Sequence, residues 1–184
     1  MAGAKYIGTD GGDSGQRLRT YKSDAAARKV AIGDAVIITG TASADGQNAT
    51  ITTIAADTTT KITGFVTAIV PDFATEALTN NGVAASTAAY LVVCDDPRAL
   101  FEIDSDTTLA VTDVGSNCGL LYTATTNTGG VYTSNLKLKA STLATTATLP
   151  VQVVGLTTGS TGTLGERAIV RLNETTMSPG ATGV

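Results

Sequence analysis

Histidine and tryptophan are missing from this sequence altogether, and aromatic residues make up only 4% of it. The absent histidine removes the usual proton carrier near neutral pH and the commonest metal ligand. Ser-His-Asp and Cys-His nucleophile systems are therefore excluded. The absent tryptophan takes away most of the stacking platform that a sugar cleft needs, so a glycosidase built on paired carboxylates is not expected. Charge is scarce as well: 15% of the residues are charged, against about 25% in an average globular protein. Neutral hydroxyls must then solvate much of the surface, and such a surface lends itself to lying against another protein. Cys94 and Cys118 are the only cysteines, too few for an extracellular disulfide scaffold. They read as buried thiols serving as small apolar residues; because both fall on expected strands, a bridge between them stays open. No run approaches the roughly 18 apolar residues of a membrane span. Met1-Ala2-Gly3-Ala4-Lys5-Tyr6 leads into glycine and aspartate, not into an apolar signal core, so synthesis and first action in a cytoplasm are expected.

What is present points to strands. Roughly one residue in five or six is threonine, and valine and isoleucine are common; β-branched residues suit a pleated, half-buried surface. The 184 residues allow one compact domain plus an arm, which would bury roughly 70% of the unfolded chain's surface. A net charge of −4 argues against nucleic-acid binding, which needs clustered Lys and Arg. Yet Lys5, Arg17, Arg19, Lys22, Arg28 and Lys29 all precede residue 30, so the N-terminus carries its own electrostatic character.

Along the chain, residues 1–29 lack strand alternation and predict an extended arm. Gly11 to Gly15 is a flexible stretch, and Ser23 to Lys29 is a helical turn or two, too short to be stable alone. From Val30 the pattern changes. Ile32-Gly33-Asp34 reads as a turn, Ala35–Thr39 and Ala49–Ala55 as a hairpin about Asp45-Gly46. Further strands are expected at Lys61–Val70, Ala89–Cys94, Leu100–Asp104 and Asn117–Thr123, with a turn at Asn127-Thr128-Gly129-Gly130. Alternation is clearest late: Leu136 and Leu138 inward with Lys137 and Lys139 outward, then Leu149, Val151 and Val153, then Ala168, Val170 and Leu172. Short strands separated by turn residues predict an all-β fold, an antiparallel barrel or sandwich over residues 30–176, with a flexible tail at 177–184.

Candidate chemistry is thin. Asp95, Asp96, Glu102, Asp104, Asp106 and Asp113 form the densest acidic region, but they lack calcium-loop spacing and alternate in direction, so turn caps and solvated strand edges are expected. No phosphate-cradling glycine motif occurs. Asn48-Ala49-Thr50 and Asn173-Glu174-Thr175 match the glycosylation pattern by chance in a chain without a secretion signal. No catalytic, cofactor-binding or metal-binding residue is assigned, and an enzyme is not expected. The residues singled out are Arg17, Leu18, Arg19, Tyr21, Lys22 and Arg28, where apolar anchors interleave with cations, as in a docking arm laid on a neighbouring subunit.

Ordered segments of the chain resemble the capsid decoration, or cement, proteins of tailed bacteriophages. Val92-Val93-Cys94-Asp95-Asp96-Pro97-Arg98-Ala99-Leu100-Phe101-Glu102-Ile103 matches a run typical of that family, followed by the turn Asp113-Val114-Gly115-Ser116-Asn117. Ser141-Thr142 through Leu149–Leu156 and the closing Val170–Glu174 continue the likeness. Upstream, Ile32-Gly33-Asp34, Ile62–Val66 and Pro71-Asp72 belong to it too. The stretch between Leu156 and Glu166 departs from the pattern as a Thr/Gly loop. The resemblance implies a β-barrel-like domain that assembles as a homotrimer on the exterior of the virion. There it would bind the major capsid protein at capsomer junctions and hold the head against packaged DNA. It implies no cofactor, no membrane and no nucleic-acid partner, and the N-terminal residues above become candidates for capsid docking. A tail or fibre module, or a carbohydrate-binding adhesin domain, are the alternatives.

Overall fold

A computed structural model describes residues 3–10, 16–24, 29–59, 61–71, 82–87, 89–173, 175 and 183. In chain order the strands are β1 (Lys5–Thr9), β2 (Leu18–Ser23), β3 (Val30–Ala31), β4 (Ala35–Ala42), β5 (Ala49–Thr53), β6 (Asp57–Thr58) and β7 (Gly64–Pro71). They continue as β8 (Gly82–Val83), β9 (Ala89–Cys94), β10 (Ala99–Asp104), β11 (Asn117–Thr128), β12 (Val131–Ala144), β13 (Val151–Thr158) and β14 (Leu164–Leu172). One 3-10 turn spans Val111–Asp113. The chain is all-β, as expected.

Two bodies of sheet share the strands. Strands β2, β5, β4, β7 and β9 close into a barrel, and a larger sheet runs β1-β10-β14-β13-β11-β12, with β6 beside β11. The pairings are antiparallel except β2 with β5, where Lys22 lies opposite Thr50 and Ser23 opposite Ile51. A parallel bridge from Ser105 to Leu138 brings the end of β10 back towards β12, so the large sheet curls towards closure. Strands β3 and β8 form a small separate pair.

The alternation read from the sequence sorts residues as expected. Phe101 and Ile103, Leu136 and Leu138, Val151 and Val153, and Ala168, Val170 and Leu172 are all buried. They belong to one core cluster on the large sheet. A second core of Tyr21, Val36, Ile51, Val66, Leu91 and Val93 fills the barrel. The two cores share a wall. Ala35/Val36 on β4, Phe65/Val66 on β7 and Val93/Cys94 on β9 are neighbours buried on opposite faces, the first or second of each pair joining the large-sheet core. Successive strand residues point to opposite faces, so both cores use the same backbone. Phe65 reaches across to Phe101, with ring centroids 4.6 Å apart, and Tyr6 of β1 meets the edge of Phe101 at 5.9 Å. Burying each phenylalanine fully is worth about 1.5–3 kcal/mol.

Gly64 marks where the wall is tightest. A Cβ there would lie 2.1 Å from the carbonyl oxygen of Cys94, closer than any side chain permits. At the β11–β12 turn, Gly129 and Gly130 both have positive φ (61° and 85°), the conformation a two-residue primed hairpin turn requires.

The N-terminal stretch differs from the arm expected for residues 1–29. Its described parts include β1, which pairs with β10, and β2, which pairs with β9 from Leu18–Cys94 to Lys22–Tyr90 and closes the barrel. Strand β2 carries one large inward residue, Tyr21, so it shows almost no apolar alternation. The flexible stretch Gly11 to Gly15, most of the Ser23–Lys29 turn and Arg28 lie outside the described residues. Of the expected tail, Gly183 is described; its N–H donates to the carbonyl oxygen of Thr145 at 3.1 Å. No helix among the described residues is long and apolar enough to cross a membrane.

Candidate interaction surface

The acidic motif and the N-terminal cations, some 78 positions apart, meet in space. Strand β9 ends at Cys94, and the turn that follows drops Asp95 into the barrel's end with its side chain fully buried. Arg17 Nε lies 2.6 Å from Asp95 Oδ1, and Arg17 Nη2 donates to the Asp95 carbonyl oxygen at 2.6 Å. Arg19 Nε approaches Oδ2 at 3.3 Å, and the Tyr21 hydroxyl donates to the same oxygen at 3.4 Å. Burial, followed by the nearby Asp95 charge, holds the Tyr21 phenol above its ordinary pKa. A buried carboxylate is tolerable only when its oxygens are paired; β2 supplies Arg19 and Tyr21, and Arg17 comes from the residue just before it.

This places the residues singled out above. Arg17 and Arg19 are tied to Asp95, though their side chains keep 42% and 45% exposure. Leu18, between them, is 45% exposed. Lys22 sits over the Tyr90 ring, 5.5 Å from its centroid, a cation–π contact. Tyr21 is buried in the barrel, so its ring packs the chain's own core and is not presented as an outward anchor. Leu18 and Lys22 thus lie on the outer face of β2, while Arg17 and Arg19 lie on the Tyr21 side, turned to Asp95 and partly exposed. Deleting residues 1–29 would remove a barrel strand and the partners of Asp95, not an appendage.

The other acidic residues are locally engaged. Asp96 accepts from the N–H groups of Arg17 and Arg98 at 3.2 and 2.9 Å, and Asp113 accepts from the N–H of Ala110 at 2.7 Å. Asp106 accepts from the N–H of Ala140 at 2.9 Å. On the outer face of β10, β14 and β13 the pairing runs across strands. Arg167 Nε donates to Asp104 at 2.7 Å, Thr157 to Glu102 at 2.9 Å, and Arg171 to Gln152 at 2.9 Å and Asp10 at 3.2 Å. Sequence reasoning missed this lattice, although opposite charges at alternate positions of β10 and β14 carried the signal. Among the described residues no group of three potential ligands is placed to hold a metal. Asn173 of the second glycosylation-like sequence donates its side-chain amide to the Ala147 and Leu149 carbonyl oxygens at 3.1 and 3.0 Å.

Cys94 and Cys118 are free and buried, which settles the question of a bridge. Burial pushes each thiol up to about 11, so both are protonated, inert core residues at neutral pH.

No family model matches the chain, and no curated protein or solved structure matches it.

Proposed function

We propose that this chain is a structural virion protein, a capsid decoration protein of a tailed bacteriophage that works as a homotrimer against the major capsid protein. The observation that carries the reading is where the family-like segments lie. Val92–Ile103 spans the end of β9, the Asp95 turn and most of β10, the crossing that joins barrel to large sheet. Leu149–Leu156 covers most of β13 and Val170–Glu174 the end of β14; β14 adjoins β10 in the same sheet, and β13 adjoins β14. These segments of the likeness therefore lie on strands of the large sheet, with Ile62–Val66 running into β7 of the barrel.

Two features support a mechanical role. The shared wall makes barrel and sheet one unit in which force on either is passed through close-packed side chains. Leu18 is exposed on the outer face of β2, and the arginines beside it in sequence are already held by Asp95 behind the strand, so docking there would immobilise little further side-chain freedom. A trimer would present that face three times, and effective concentration multiplies contacts that are weak singly. The test is binding of the purified chain to undecorated heads, with Leu18→Asp and Arg19→Glu as variants. Retention of the wild-type protein and at least tenfold weaker retention of the folded variants is expected. Heads that bind variants and wild type equally would exclude β2 as the contact, and heads that bind neither would exclude the decoration role.

A further inference from the structure

A cleft of about 390 Å³ opens where the barrel meets the β11–β12 hairpin, within the roughly 300–1,000 Å³ of small-molecule sites. Its origin is a slip in pairing. The β11–β12 register shifts between Thr123 and Thr126, and a bulge of this kind bends a strand and re-aims its side chains. Thr125 turns inward and is buried. Its hydroxyl donates to Asp34 Oδ2 at 2.7 Å, where the N–H of Ala31 also donates at 2.8 Å. With that proton committed, the Tyr122 hydroxyl, 2.8 Å from Thr125 Oγ1, acts as the donor between them, and the Thr125 N–H donates back to the Tyr122 oxygen at 3.3 Å. The floor thus directs its donors inward to Asp34 and offers the cleft oxygen lone pairs, including the Lys29 carbonyl 3.4 Å from the phenol.

Above this floor the walls are Ile54, Ala56, Ala85 and Ala124. Among the described residues Lys29 is the one cation of the lining, and it is exposed. Its ammonium has no ion-pair partner among the described residues, unlike Arg17, Arg19, Arg167 and Arg171. A floor of acceptors repels an anion, apolar walls favour hydrocarbon, and a cation at the lip favours negative charge there. We infer that this cleft binds an amphipathic anion, its apolar body between Ile54 and the alanines and its carboxylate at Lys29. The inference is independent of the capsid reading. A free medium-chain carboxylate and the C-terminus of a polypeptide ending in an apolar residue share this chemistry.

The test uses the full chain with 8-anilinonaphthalene-1-sulfonate as fluorescent probe. Saturable enhancement is expected, with displacement by decanoate at a concentration at least fivefold below that of decylamine. Lys29→Gln, at an exposed position, weakens decanoate at least fivefold with an unchanged melting curve, and Ala85→Leu, which fills the cleft, removes saturable binding. A peptide ending in Leu or Val as the free acid, set beside its amide, separates the sources: displacement by the free acid assigns a chain terminus, and displacement by decanoate alone assigns a small molecule. Equal competition by decylamine and decanoate, or wild-type binding by Lys29→Gln, overturns the inference.

Discussion

Replacing Asp95 by asparagine keeps the size of the side chain and deletes the charge on which Arg17, Arg19 and Tyr21 converge. The amide also brings two donors to a place ringed by donors, so Arg17 Nε at 2.6 Å or Tyr21 at 3.4 Å loses its acceptor. Breaking a buried pair by removing one partner costs about 3–5 kcal/mol. The arginines here are more than 40% exposed and regain water, which reduces the cost to about 2–3 kcal/mol, the range of one hydrogen bond to a charged group. With a urea dependence of about 2 kcal/mol per molar, the unfolding midpoint of Asp95→Asn falls by about 1–1.5 M at unchanged slope. Urea titration followed by far-ultraviolet circular dichroism measures it. Arg17→Ala and Arg19→Ala separately cost less, because each leaves the other cation on the carboxylate, and the three substitutions are strongly non-additive. A midpoint for Asp95→Asn within 0.2 M of wild type (the scale of about 0.5 kcal/mol) would refute the view that β2 is clamped to the barrel through this carboxylate.

Other substitutions test other parts of the fold. Burial raises the Asp34 pKa, and hydrogen bonds from Ser134, Ala31 and Thr125 offset this only in part. The folded state therefore holds this proton more tightly than the unfolded one, and stability falls as pH rises from the ordinary carboxylate value of 3.8 through the elevated one. Asp34→Asn should flatten that slope in urea midpoints taken across the same interval. A thiol reagent should label neither Cys94 nor Cys118 in the native protein at neutral pH and both in denaturant, since each thiol is buried and raised to about 11. Phe101→Ala opens a cavity against Phe65 and Tyr6 and should cost about 3–5 kcal/mol, read as a lowered melting temperature. Gly64→Ala, which meets the Cys94 carbonyl, should destabilise by about 1–3 kcal/mol or more.

The sequence made the large sheet legible and the barrel less so. On β10, β13 and β14 one face is core and the other solvent, so Phe101 and Ile103 against Glu102 and Asp104 announce both strand and orientation. On β4, β7 and β9 both faces are buried by the shared wall, so Ala35-Val36 and Phe65-Val66 lose alternation; only length and β-branching remain to identify them. Strand β2 escaped for the opposite reason: its buried residues are Tyr21 and Ser23, and Arg19 on their face and Lys22 on the other read as solvated charge. That Arg17 and Arg19 belong to Asp95 depends on closure of the barrel, a contact no local pattern encodes. The cleft is less visible still, since a one-residue bulge in β11 creates it and Thr123 to Thr126 look the same in or out of register.

The capsid reading rests finally on where the chain resides. Cryo-electron microscopy of intact phage particles whose genome encodes it is the most direct measurement. Density fitting three copies of this barrel-and-sheet fold at capsomer junctions on the outer head surface is expected, in every equivalent position. Heads that carry no such density, with the chain confined to the tail or absent from the particle, would contradict it.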